Sequence, residues 1–171
     1  MTDKIIVSAE CSLAVPMDKI NDFLVITRDD INKIEPDRVK RIVILEFLPK
    51  SVCPKHAIFH FVYETENPHH GSFHTIHEFP SVKNRNHNLN ANIILLLGRN
   101  RIPNWSLVNR KDLPANLENV YGASGFCTFE NKTLFSAVIV FTHGNRIHKI
   151  GMTDSDYRWD VLDQMASLVV D

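Results

Sequence analysis

Short apolar segments rich in β-branched and aromatic residues occur along most of the chain, and this pattern is typical of β-strands. They are 5–15, 39–48, 57–65, 72–79, 126–129, 134–142 and 146–152, and residues of opposite faces alternate along 57–65 and 72–79. Most of them end near Pro, Gly or Asn residues, which favour turns. The short connection Glu66–Gly71 predicts a hairpin between the two strands that flank it. We therefore expect a mostly antiparallel sheet of about six strands.

Two other segments have apolar residues at every third or fourth position, as on one face of an α-helix. Residues 18–33 predict an N-terminal helix, although Val25-Ile26-Thr27 in its centre is β-branched and favours a strand. A C-terminal helix is expected to start at Asp154 or Ser155, whose short polar side chains suit a cap, and to run to Val170. Strands followed by a terminal helix indicate an α+β fold with the N-terminal and C-terminal helices packed on the sheet.

The middle of the chain is less regular. The asparagine-rich stretch Lys83–Asn92 leads into the apolar run Ile93–Leu97, which is expected to be a buried strand or a short helix. Most of residues 98–120 are expected to be loop, because prolines and asparagines are frequent there. No linker-like composition divides the 171 residues, a length that suits one hydrophobic core. Residues 1–171 are therefore expected to form a single α+β domain.

Charge is distributed unevenly along a chain whose net charge is −1. Residues 1–37 carry four Lys and Arg against eight Asp and Glu, and residues 112–171 carry the same numbers. Residues 38–111 carry eleven against four, and no acidic residue occurs from Phe79 to Lys111. This asymmetry predicts a basic surface in the centre of the chain that docks on an acidic partner.

The predicted contact surface contains every cation of the acid-free segment and one aromatic residue, namely Lys83, Arg85, Arg99, Arg101, Trp105, Arg110 and Lys111. The partner is expected to be another protein with an acidic surface. RNA or a phosphate-bearing ligand is an alternative, since Trp105 could stack on a base and the asparagines could donate hydrogen bonds. A pI near 6.7 is low for a nucleic-acid-binding domain, which favours the protein partner.

The hairpin predicted around Glu66–Gly71 carries most of the histidines and suggests a second alternative, a metal-dependent enzyme. If the aromatic faces of its two strands pack together, His60 and His74 fall on the opposite face with Glu64 and Glu78. Two histidines and a carboxylate suit a divalent metal ion. Because a strand face with this mixture is more often a half-solvated surface, no cofactor is expected.

Cysteine chemistry offers a variant of the enzyme hypothesis. The chain has three cysteines, Cys11, Cys53 and Cys127. None of them forms a C-x-x-C pair, and this pattern favours reduced thiols. Cys53 has Lys55 and His56 nearby, and both favour a thiolate nucleophile. The alternative for Cys53 is a small buried residue at the entry to a strand. The chain has no G-x-S-x-G, P-loop, dinucleotide-binding or H-E-x-x-H motif.

The C-terminal third resembles a known family. Residues 137–152, AVIVFTHGNRIHKIGM, and residues 157–168, YRWDVLDQMASL, resemble the C-terminal end of the PsbP/DcrB-like family, in which a β-hairpin precedes a closing helix. Leu168 stands where that family usually has Phe. The resemblance covers under a fifth of the chain. It implies an α/β/α sandwich with a central antiparallel sheet and a role in binding other proteins, and it carries over no catalytic residue.

The expected location is cytoplasmic. The strongest apolar runs, Ile93–Leu97 and Ala137–Phe141, are far shorter than the ~18 residues of a membrane-spanning helix. Asp3 and Glu10 in the N-terminal segment are unlike a secretion signal. The sequence therefore predicts a non-catalytic, cytosolic, macromolecule-binding domain of the immunity, chaperone or accessory-subunit type.

Overall fold

One sheet forms the centre of the computed structural model, which describes residues 5–7, 17–48 and 57–171. In these ranges the sheet has eight strands, which follow the order β1-β2-β3-β4-β8-β7-β6-β5. The strands are β1 (Ile5–Val7), β2 (Arg41–Leu48), β3 (Ala57–Glu64), β4 (Gly71–Glu78), β5 (Ser106–Leu107), β6 (Glu118–Phe129), β7 (Lys132–His143) and β8 (Arg146–Asp154). The sheet thus consists of two sets of consecutive strands, β1–β4 and β5–β8, joined where β4 pairs with β8.

The α+β prediction with a mostly antiparallel sheet is confirmed. Strand β1 pairs with β2 in parallel, and the other neighbours pair antiparallel. The predicted count of about six strands is wrong, because seven strands form the antiparallel part. The hairpin of β3 and β4 is present as expected. The predicted strand at 5–15 is described from Ile5 to Val7, and its remainder lies outside the described residues.

Strand β6 is three times as long as the predicted strand at 126–129. Its first part contains Gly122 and Gly125, which argue against a strand when read from the sequence alone. A Cβ atom added at Gly125 would lie 2.2 Å from the carbonyl oxygen of Pro103, and one at Gly122 would lie 2.8 Å from Leu113. The glycines therefore let the preceding loop cross closely over the strand.

Two short helices replace the single N-terminal helix predicted at 18–33: α1 (Met17–Phe23) and α2 (Arg28–Ile34). Thr27 caps α2, since its hydroxyl accepts from the Asp30 N–H at 3.1 Å and its own N–H donates to the Asp30 carboxylate at 3.0 Å. This capping box starts a new helix and ends the old one at the β-branched stretch.

The asparagine-rich middle segment forms the longest described helix, α3 (Val82–Leu96). The prediction of a strand or short helix at 93–97 captured only its end. Ser81 caps α3 by accepting from the Asn84 N–H, and the helix buries Arg85, Leu89 and Leu96. Packing of these residues on the sheet outweighs the modest helix propensity of asparagine.

The C-terminal helix α4 (Trp159–Val170) starts later than predicted. Asp154 belongs to β8 and forms an ion pair with Arg38 at 2.8 Å, so it does not cap the helix. Arg38 also pairs with Glu35 at 2.9 Å, and Glu35 pairs with Arg158 at 3.2 Å. This largely buried network joins the end of α2 to the end of β8 and the start of α4.

The two faces of the sheet are covered by different helices. Face A, the side that carries Phe61 and Ile150, packs in one core with residues of α1, α2 and α4. Face B, the opposite side, packs at Val138 and Val140 against α3 in a second core. In the described part of the chain, no helix has both the length and the apolar character needed to cross a membrane.

Candidate functional site

The register of the hairpin separates the residues predicted as a metal set. Phe61 pairs with His74, while His60 pairs with Thr75, so His74 lies on face A and His60 on face B. Glu64 shares face B with His60, whereas Glu78, opposite Ala57, shares face A with His74. The prediction that these four side chains share one face is wrong, because β4 pairs with β3 one residue away from the assumed register.

No group of three or more His, Cys, Asp or Glu side chains within the described ranges is arranged to hold a metal ion. Cys53, the candidate nucleophile, lies outside the described residues. Cys127 is a half-buried free thiol in β6. The metal-dependent and thiol-dependent hypotheses therefore gain no supporting geometry from this part of the chain.

His74 has a different partner from the predicted one. Its Nε2 lies 3.0 Å from Nδ1 of His148, and both rings are buried in face A. His148 stacks on Phe141 at 5.3 Å. Burial lowers the pKa of His74 to about 3, with His60 and then Arg146 adding to the shift. Burial also holds the pKa of His148 well below its usual value, with His74 and then Arg146 contributing. The pair is neutral and forms part of the core.

The basic segment, defined as residues 82–111, keeps five of its six cations exposed: Lys83, Arg99, Arg101, Arg110 and Lys111. None of them forms an ion pair with another described residue. Elsewhere in the described ranges most cations are paired, namely Arg28, Lys33, Arg38, Lys40, Arg41, Arg146 and Arg158. The acidic residues that the structure describes therefore do not neutralise the basic segment through ion pairs.

Two members of the predicted contact set have structural roles instead. Arg85 is buried, and its guanidinium donates to the Gly144 carbonyl and to the Asn86 side chain. Trp105 is half-buried in the face B core, where its indole N–H donates to the Leu97 carbonyl at 3.1 Å. Arg85 is thus removed from the exposed surface, and Trp105 is not a free stacking platform.

Exposed apolar side chains accompany the cations of the basic segment. Val82 and Leu95 on α3 are 49% and 57% exposed, and Leu107 on β5 is 57% exposed. Large apolar side chains next to arginines are characteristic of surfaces that bind proteins. The segment therefore combines the two kinds of side chain that such a contact uses.

A row of polar residues crosses face B beside this segment. His60, Thr75 and Lys149 are neighbours across β3, β4 and β8. His60 Nδ1 lies 2.7 Å from the Thr75 hydroxyl, and Phe73 lies beside the row, 5.4 Å from the His60 ring and 5.5 Å from the Lys149 ammonium. The sheet thus presents an ammonium, a hydroxyl and an imidazole side by side.

The electrostatics of this row are strongly positive. Burial lowers the pKa of Lys149 to about 8, and nearby Arg101 adds to the shift. Burial also lowers the pKa of His60 to about 4, with Lys149 and then Arg101 contributing. No described carboxylate forms an ion pair with Lys149 or Arg101. Among the described side chains, the row therefore has no paired negative charge.

Arg101 and His60 were predicted from the sequence to belong to different sites. Lys149 was not predicted, although it lies in the row with His60 and Arg101 influences its pKa. A usable signal was present: Lys149 stands between Ile147 and Gly151 on one face of a strand, a position that normally carries an apolar residue. A lysine at such a position needs either a partner or a ligand.

Comparison with known proteins shows a similar fold. No protein-family model and no curated protein sequence matches the chain. The extracellular domain of PknH from Mycobacterium tuberculosis has a similar structure, with a TM-score of 0.60 and 9% sequence identity. The similarity covers 92% of this chain and 96% of that chain. It therefore concerns the arrangement of the whole sheet and its helices.

Proposed function

We propose that this protein is a non-catalytic binding domain whose basic segment docks on an acidic surface of another protein. The carrying observation is that the exposed cations Arg99 and Arg101 have no ion pair with any described residue, whereas most cations outside the segment do. Unpaired surface charge speeds the encounter with an oppositely charged partner and orients it. Val82, Leu95 and Leu107 supply apolar area for the same contact.

The burial of Trp105 and the kind of exposed side chains in the basic segment support a protein partner over RNA. The aromatic residue expected to stack on a base, Trp105, is held in the core by its hydrogen bond to Leu97. Recognition of single-stranded nucleic acid usually needs exposed aromatic rings beside the cations. The exposed large apolar side chains of the basic segment itself, Val82, Leu95 and Leu107, are aliphatic, which suits burial against a protein.

The cellular location stays a prediction. The sequence predicts a cytoplasmic protein, while the structurally similar PknH domain is extracellular by its description. At 9% identity that similarity concerns the fold, so the proposed docking surface does not depend on either location. The family resemblance of the C-terminal third also stays a prediction.

The proposal is tested with the doubly reversed variant Arg99→Glu/Arg101→Glu. Its binding to a fluorescent twelve-residue oligoglutamate peptide is measured by anisotropy between low and physiological salt, with a twelve-nucleotide RNA as the comparison. We expect the wild type to bind the peptide at low salt and the variant to bind at least tenfold more weakly. Thermal stability should change by less than ~1 kcal/mol, because both residues are exposed.

The matched control is Lys33→Glu/Lys40→Glu, which changes the net charge equally at two exposed lysines that have acidic partners. This control should bind the peptide with at least a third of the wild-type affinity. Equal weakening by both variants, or no peptide binding at low salt, would overturn the proposal. Tighter binding of the RNA than of the peptide would replace it with nucleic-acid binding.

A further inference from the structure

The polar row on face B has the geometry of a small binding site. Cross-strand neighbours on one face of an antiparallel pair lie about 5 Å apart, so His60, Thr75 and Lys149 span about 10 Å across three strands. If the Thr75 hydroxyl donates to Nδ1 of His60, the Nε2–H of the neutral ring is left to donate to a ligand. Lys149 and His60 then present donors on the two sides of Thr75.

A rigid aromatic wall lies beside this row. The Phe73 ring centroid lies 5.4 Å from the centroid of the His60 ring and 5.5 Å from the Lys149 Nζ atom. Gly151 is opposite Phe73 in the register, and a Cβ atom added there would lie 2.3 Å from the ring. The glycine lets Phe73 lie flat over β8, which fixes the position of the wall.

Among the side chains that the structure describes, two cations and no paired carboxylate lie at this place. Lys149 is half-buried near the middle of a strand, and Arg101 is close enough to influence both Lys149 and His60. No ion pair joins Lys149 or Arg101 to a described carboxylate. A half-buried ammonium without a counter-charge lowers the stability of the folded state, and a bound anion offsets this effect.

We propose that Lys149 and His60, on the two sides of Thr75, form a binding site for a phosphate group. A phosphate monoester carries up to two negative charges at neutral pH and three acceptor oxygens. The Lys149 ammonium and the His60 imidazole N–H supply donors to these oxygens, and the charges of Lys149 and of nearby Arg101 offset those of the phosphate. A carboxylate, with one charge and two oxygens, leaves one cation without a counter-charge. Arg101 belongs to both this site and the proposed docking surface, whereas Lys149 and His60 lie outside the basic segment.

The test follows backbone amide resonances of the full chain by NMR during titration with inorganic phosphate. We expect saturable shifts centred on β3, β4 and β8, and at least tenfold weaker binding to Lys149→Met. Arg101→Gln should also weaken binding, by at least threefold, and it keeps the fold because the residue is exposed. The matched control Lys132→Met removes another lysine that has no ion pair and should leave phosphate affinity unchanged.

Further arms identify the ligand chemistry. O-phosphoserine that binds at least as tightly as inorganic phosphate identifies an esterified phosphate as the ligand, whereas weaker binding identifies the free ion, and both outcomes support the site. Acetate binding as tightly as phosphate overturns the assignment. Unchanged phosphate affinity in Lys149→Met overturns it as well. Glu46 pairs with His60 in the register and is therefore next in the row. If Glu46→Gln binds phosphate tenfold more tightly, the Glu46 carboxylate is the counter-charge of these cations, and the proposal is overturned.

The oligoglutamate peptide separates this site from the docking surface. Lys149→Met should bind that peptide like the wild type, because Lys149 is half-buried and lies outside the basic segment. A variant that loses phosphate and keeps the peptide supports a separate site. Parallel loss of both ligands would show a single diffuse cationic surface and overturn the separate phosphate site.

Discussion

The buried imidazole pair makes the stability of this protein depend on pH in a predictable direction. His74 and His148 share one hydrogen bond of 3.0 Å in an apolar core, and the remaining ring nitrogen of each has no partner in the described residues. Protonation would place a charge there, so the folded state keeps both rings neutral. The unfolded chain protonates them near their usual pKa of about 6.5.

The sign and size of the effect follow from this difference. The folded pKa of His74 is about 3, so below pH 6.5 the unfolded state binds one more proton at this residue than the folded state. The free energy of unfolding therefore falls as the pH falls from 6.5 towards 3, by about 1.4 kcal/mol per pH unit for one histidine. At pH 4.5 His74 alone removes roughly 2.7 kcal/mol, a large part of a typical total of 5–15 kcal/mol. His148 acts in the same direction.

The double variant His74→Leu/His148→Leu tests this pH dependence of stability. Replacing both partners by apolar residues of similar size leaves no imidazole nitrogen unpaired in the core. The free energy of unfolding is measured by urea denaturation at several pH values from 7.5 to 4.5. The variant should lose at least about 1.4 kcal/mol less per pH unit below 6 than the wild type. Acid-sensitive carboxylates are present in both proteins, so their contribution cancels in the comparison.

The control variant replaces two exposed histidines, His69→Gln/His87→Gln. These rings remain in water in both states, so their removal should leave the pH dependence of stability as in the wild type. If the wild type and the core double variant lose stability in parallel between pH 6.5 and 4.5, the buried pair is not the cause of the pH dependence. This result would mean that the buried pair accepts a proton without unfolding the core.

Two further predictions concern the packing of β8. Asp154→Asn should destabilise the fold by about 3 kcal/mol in urea denaturation, because it removes one of the two carboxylates that pair with the buried Arg38 guanidinium and leaves only Glu35. Lys40→Ala at an exposed pair should cost less than about 1 kcal/mol, and similar losses in the two variants would contradict this difference in burial. Gly151→Ala should cost about 1–3 kcal/mol and displace the Phe73 ring, visible as altered aromatic NMR shifts; unchanged shifts would contradict the proposed wall.

Composition and turn-forming residues were sufficient to predict most of the sheet. Strands β2, β3, β4, β7 and β8 lie where β-branched and aromatic residues are frequent, and their ends coincide with turn-forming residues to within a few positions. Helix α3 was missed because its stability comes from residues that pack on the sheet, Leu89 and Leu96 among them, and not from local propensity. Strand β6 was shortened for a similar reason, since its glycines serve a loop that crosses over it.

The candidate site could be predicted in part. The absence of acidic residues around Arg99 and Arg101 is visible in the sequence, and it favours cations without a partner nearby in the chain. The buried role of Arg85 depends on the Gly144 carbonyl, which comes from a hairpin fifty-nine positions away in the chain. Contacts of that range need the register of the whole sheet. Local charge patterning therefore identified the basic segment but not which cations remain free.

The sequence of β4 alone does not determine which of its residues lie on face A and which lie on face B. Residues 73 and 74 exchange faces if this strand shifts by one position, and the strand itself contains an aromatic residue on one face and histidine on the other. Strand β8 decides between the two registers. Gly151 provides the space that the Phe73 ring requires on face B, and His148 offers the hydrogen bond that His74 requires on face A. Because both requirements are met by one register, the same pairing that buries the histidines also leaves Thr75 beside Lys149 and creates the proposed phosphate site.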